Sequence, residues 1–85
     1  MVFGRDHSAD MQILAPEVSR NHARLEIAGG EVRLEDLGSK NGTRVNNHPI
    51  EEPCVLKSGD LVEIGATTMT YCHRSSDPTW TQGEF

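Results

Sequence analysis

An all-β fold is predicted for this chain, an antiparallel sandwich of short strands. Three observations point to it. Helical periodicity is nearly absent, short alternating apolar runs recur, and Gly, Pro, Asn and Asp separate them. Candidate strands are 1–3, 11–14, 22–27, 31–36, 43–45, 54–55, 61–64 and 68–73. With 85 residues the chain has room for one small domain, read as 1–74, followed by a tail or linker over 75–85, where apolar residues thin out and Pro78 and Gly83 appear.

One hairpin can be checked for register. If Gly29-Gly30 is a two-residue turn, Ile27 faces Val32 and Leu25 faces Leu34. On the other face Glu26 meets Arg33 and Arg24 meets Glu35. Apolar pairs with apolar and opposite charges pair twice, each pair worth roughly 0.2–1 kcal/mol. A slip of one residue would turn the apolar set to the wrong face. Two further turns are expected, at Gly38-Ser39-Lys40-Asn41-Gly42 and at Ser58-Gly59-Asp60. Pro49 and Pro53 bracket an irregular segment.

Charge and cysteine content narrow the function classes. Eight Lys and Arg stand against thirteen Asp and Glu, a net charge of −5, which argues against a general nucleic-acid binder. Arg5, Arg20 and Lys40 depart from this acidic background, and all three fall in predicted loops. Cys54 and Cys72 form neither a disulfide framework nor a metal motif, so two reduced thiols are expected. Met1 opens no signal peptide, and no apolar run approaches the roughly 18 residues of a membrane span. The expectation is a soluble intracellular protein, cytoplasmic or nuclear, with no membrane partner, no cofactor and no metal.

Three loop segments carry the chemistry: Gly4-Arg5, Ser19-Arg20-Asn21-His22, and Ser39-Lys40-Asn41-Gly42-Thr43 with Val45-Asn46 following. In a sandwich, loops at one end converge. Arg5 offers a planar fork of donors, Ser19 a hydroxyl, and Lys40 a mobile charge, while turn amides add further donors. Asn41 can both donate and accept, which suits the main chain of a bound peptide. Together these make a phosphate cradle beside a peptide clamp, fitted to a phosphoryl group with charge near −1.5 to −2.

The combination FGR (3–5), VSRNHARL (18–25), LEDLGSKNGTRVN (34–46) and LKSGDLVEIG (56–65) resembles the forkhead-associated domain family. The match runs in order and spacing up to about His73. That family is an eleven-stranded β-sandwich that recognises phosphothreonine through loops at one apex. The resemblance implies that Arg5, Ser19, Arg20 and Lys40 contact the phosphate and that Asn41 binds the peptide main chain. It implies support from Gly4, His22, Gly42, Thr43 and Asn46: His22 bracing the Ser19 loop, Gly42 permitting the tight turn, Asn46 bracing the apex. The implied partners are a phosphothreonine-containing protein and a Ser/Thr kinase or its substrates.

A catalytic reading would invoke Ser19, His22 and Asp36, but nothing in the sequence supplies an oxyanion hole or substrate pocket, so no enzyme is expected. The alternative is an assembly domain that holds a partner by a sheet face or open edge without phosphate. One departure from the family favours it. Only Met1-Val2-Phe3 precede the Gly-Arg motif, so the first one or two strands of the sandwich are expected to be lacking, leaving an open edge. Truncation, strand exchange in a homodimer, or cover by the tail from Thr79 would each account for it.

Overall fold

The computed structural model describes residues 1–73 and 78–82. Its strands are β1 (Val2–Gly4), β2 (Met11–Gln12), β3 (Ala23–Ala28), β4 (Glu31–Asp36), β5 (Thr43–Val45), β6 (His48–Pro49), β7 (Cys54–Val55), β8 (Leu61–Ile64), β9 (Thr67–His73) and β10 (Pro78–Gln82). They form two sheets, ordered β2-β1-β3-β4-β7 and β10-β9-β8-β5-β6. Every pairing is antiparallel except β1 with β2, which run parallel through Phe3↔Met11 and Gly4↔Gln12.

The β3–β4 hairpin has the register that its residue pattern dictates. Ile27↔Val32, Leu25↔Leu34, Glu26↔Arg33 and Arg24↔Glu35 are all partners. Gly29 and Gly30 have φ of 58° and 79°, the doubly left-handed turn that matches strand twist. The charges differ in one respect. Arg24 binds Glu35 at 2.6 Å, but Arg33 turns to Glu31, two residues back on its own strand, at 3.0 Å. Both pairs are largely exposed, so each adds well under about 1 kcal/mol.

Alternation on the facing strands builds the core. Phe3, Ala23, Leu25, Val32 and Leu34 from one sheet meet Val45, Val62, Ile64, Met69 and Tyr71 from the other, all buried. Val18 and Leu56, from connecting segments, complete the cluster. Each large side chain so buried contributes roughly 1.5–3 kcal/mol.

Two strands lie where none was expected. Asn46 and Asn47 have φ of 51° and 69° and form a two-residue turn that folds β6 back onto β5 through Val45↔His48. Pro49 masked this strand in the sequence, because proline is tolerated only on a sheet edge, and β6 is an edge. The second is β10, inside the segment read as tail. Pro78 through Gln82 pair in order with His73 through Met69. The segment's single apolar strand residue, Trp80, gives too weak an alternation to reveal it. The rest of that segment, Ser75–Asp77 and Gly83–Phe85, lies outside the described residues. The other expected strands hold to within two residues at their ends.

β2 and β10 end the two sheets. Between β2 with its following loop and β9 lies a groove of about 460 Å³, lined by Met11, Ile13, Leu14, Ala15 and Met69 among others. Among the described residues, no helix is long and apolar enough to cross a membrane, and no cluster of three or more His, Cys, Asp or Glu could hold a metal. Cys54 and Cys72 are unbridged.

Candidate functional site

One end of the sandwich gathers the segment after β1, the segment before β3, the β4–β5 turn and the β8–β9 turn. Backbone contact brings the first two together. A β-carbon on Gly4 would sit 1.9 Å from the carbonyl oxygen of Arg20, so the strand can approach only as glycine. That approach lets the Arg5 amide donate to Ser19 O at 2.9 Å and the Asp6 amide to Arg20 O at 3.2 Å. The Arg5 side chain is then steered by its Nε, which donates to Val18 O at 2.9 Å. Its two terminal nitrogens stay uncommitted among the described residues.

His22 ties this pair of loops to the β4–β5 turn. It is wholly buried. Its Nδ1 accepts the Ser19 amide at 3.0 Å, and its Nε2 lies 2.7 Å from Gly42 O. An amide can only donate and a carbonyl can only accept, which fixes the neutral ring with its proton on Nε2. Both ring nitrogens are therefore taken, and neither serves Ser19 Oγ. That hydroxyl instead accepts the Lys40 amide at 3.1 Å, leaving its own proton to donate outward. The Ser19, His22, Asp36 triad does not form.

Asp36, which the sequence reading left outside the binding set, organises the turn. Its carboxylate accepts the Gly38 and Ser39 amides at 3.0 Å each, Ser39 Oγ at 2.5 Å and Thr43 Oγ1 at 2.7 Å. Ser39 Oγ in turn accepts the Gly42 amide at 2.9 Å, and Gly42 takes a φ of 85°. A carboxylate two and three residues before the amides it caps is a turn signature, and D-x-x-S at 36–39 could have revealed it. Asn41 points its Nδ2 to Glu17 O at 2.8 Å, so its Oδ1 is the atom left to accept.

Asn46 is placed elsewhere. It sits at the far end of β5, where its Nδ2 donates to Asp60 Oδ1 at 3.0 Å and its Oδ1 accepts the Leu61 amide at 2.9 Å. The expected apex brace thus supports the Ser58-Gly59-Asp60 turn, because a three-residue strand separates it from Gly42.

Charge distribution marks the apex. Arg24, Arg33 and Arg44 on the sheets all face carboxylates. Among the described residues Arg5, Arg20 and Lys40 form no ion pair, and only Lys57 elsewhere shares that state. Arg20 does lie near Asp6. Ser8, through its hydroxyl and amide, holds that carboxyl below its usual range, with His7 and Arg20 adding to the effect.

The FHA domain family model matches residues 1–65. The chain belongs to this family. Among curated relatives, the glycogen accumulation regulator GarA of Mycolicibacterium smegmatis is 40% identical over 68 residues, covering 80% of this chain and 42% of GarA. Human proliferation marker protein Ki-67 is 38% identical over 74 residues, 87% of this chain and 2% of Ki-67. The chain therefore spans less than half the length of either. A solved chain from a structural and functional analysis of phosphothreonine-dependent FHA domain interactions is 32% identical, with a TM-score of 0.81, covering 86% of this chain and 75% of that one.

Ionisation of Asp36 makes this FHA turn pH-sensitive. Burial pushes its carboxyl up, but the hydrogen bonds from Ser39, Thr43 and Gly38 together outweigh burial and hold it below the ordinary 3.8. A depressed folded pKa contributes stability that is present above the unfolded value and lost as pH falls through the folded one. Asp36→Asn replaces one accepting oxygen by a donor and is expected to cost about 1–3 kcal/mol at neutral pH. In urea titrations the gap from the parent should close as pH falls below about 3.9. A gap that persists unchanged in acid would mean the carboxylate charge plays no part.

Proposed function

We propose that this FHA domain is a phosphothreonine-dependent binding module acting in Ser/Thr kinase signalling. The observation that carries the reading is the apex itself. Three cations without ion-pair partners and an outward-donating serine stand beside an asparagine acceptor, on a chain of net charge −5. Arg5, Ser19, Arg20 and Lys40 take the phosphate oxygens, and Asn41 Oδ1 takes a main-chain N–H of the bound peptide. Charge-assisted hydrogen bonds of this kind contribute roughly 1.5–3 kcal/mol each. The similar solved chain, from an analysis of phosphothreonine-dependent FHA domain interactions, supports the phosphothreonine reading. The commitment of both His22 nitrogens to loop backbone removes the Ser19, His22, Asp36 catalytic arrangement and supports a binding role.

Titration with a phosphothreonine peptide pool, its phosphoserine counterpart and the unphosphorylated pool tests this. Phosphothreonine should bind best. Phosphoserine should lose at least the methyl's burial, about 0.8 kcal/mol or roughly fourfold. Ser19→Ala should weaken phosphothreonine binding about tenfold, one hydrogen bond's worth. Equal binding of the unphosphorylated pool would support the rival reading, a phosphate-independent assembly surface. Sedimentation of the chain as a monomer would remove the strand-exchanged homodimer form of that reading.

A further inference from the structure

We propose that Gly65, in the β8–β9 turn, is a positioning residue of the apex that acts on Asn41 through the Glu17 carbonyl. The inference rests on the phosphothreonine reading only for its binding arm. Gly65 has a φ of +63°, where an L side chain is strained. A β-carbon there would lie 2.7 Å from Glu17 O, 3.0 Å from Glu17 C and 3.2 Å from Val18 Cγ2. Glu17 O is the acceptor that holds Asn41 Nδ2 at 2.8 Å. The Gly65 amide also reaches Gly42 O at 3.4 Å, so this turn contacts both sides of the asparagine's surroundings. With Nδ2 committed to Glu17, the amide of Asn41 has one orientation, and Oδ1 is presented as the acceptor. The bare α-carbon of Gly65 is what lets the Glu17 peptide sit where it can do this.

Gly59 supplies the control. It also has a left-handed φ, +96°, but a β-carbon there meets nothing within 4 Å, and it lies at the other end of β8. Gly59→Ala therefore shares the backbone strain without the collision.

Two readouts decide the matter. In the ligand-free chain, the Asn41 side-chain amide resonances should shift in Gly65→Ala and stay in place in Gly59→Ala. With a phosphothreonine peptide chosen from the pool, Gly65→Ala should bind about tenfold more weakly, and Gly59→Ala within about twofold of the parent. In an Asn41→Ala background the Gly65→Ala effect should shrink to under about threefold, since the group it acts through is gone. If Gly65→Ala does not fold, Gly65→Asn adds the β-carbon with a residue that tolerates positive φ. Unmoved Asn41 resonances, or the same loss with and without Asn41, would overturn the inference and leave the phosphothreonine reading standing. A parent chain that binds no phosphothreonine peptide would overturn that reading, while the resonance test would still decide the role of Gly65.

Discussion

Arg5→Ala is expected to weaken phosphothreonine-peptide binding by about a hundredfold while lowering the melting temperature by only about 4–8 °C. The two consequences separate because of where the side chain sits. Arg5 is exposed, and only its Nε is tied to the protein, through Val18 O. Val18 itself is buried, but the truncated side chain opens its carbonyl to water, so removing the Nε donor costs about 1 kcal/mol, one ordinary hydrogen bond. For the ligand, the loss is one or two charge-assisted hydrogen bonds to phosphate, each roughly 1.5–3 kcal/mol. Arg5→Lys is expected to recover little of this. An ammonium keeps the charge but cannot hold Val18 O with one nitrogen and a phosphate with two others. Isothermal titration at two salt concentrations checks both points, since the parent's affinity should fall with salt more steeply than the Arg5→Ala affinity. Wild-type affinity in Arg5→Ala would move the phosphate site away from this apex.

The sequence made some of this legible because the information was local. Four cross-strand pairs and a Gly-Gly turn specify the β3–β4 register without reference to anything else in the chain. The loops of the apex could be named because their residue types suit phosphate and their spacing matches a family. What the sequence hid was contact between segments distant in the chain. Gly4 is glycine because of Arg20, and Gly65 because of Glu17, and neither reason can be read from its own neighbours. Asn46 braces the Ser58-Gly59-Asp60 turn and not the apex, and a motif written in one line does not show that three strand residues carry its last member away from the Gly42 turn. β10 was hidden for a different reason. Its pairing with β9 extends a sheet already formed, so little in its own composition had to announce it.

His22→Ala is expected to be the most destabilising single change at the apex, by about 3–5 kcal/mol. The imidazole is fully buried, so truncation leaves a cavity in a packed interior. It also strands the part-buried Ser19 amide and leaves the Gly42 carbonyl only the Gly65 amide at 3.4 Å, and a desolvated group left without its partner costs about 1–3 kcal/mol. Against a total stability of roughly 5–15 kcal/mol for a domain, the loss is large. At about 4–8 °C per kcal/mol for a domain of this size, the melting temperature should fall by about 12–40 °C. The fraction that stays folded in the cold should still bind the peptide less well, because the Ser19 loop and the Gly42 turn are no longer held to one another. His22→Gln is the informative partner variant. A glutamine can accept with Oε1 and donate with Nε2, so part of the stability should return if the two hydrogen bonds matter, and none if only the ring's volume does. A melting temperature for His22→Ala within about 4 °C of the parent would mean that Ser19 and Gly42 are held in place by something other than this ring.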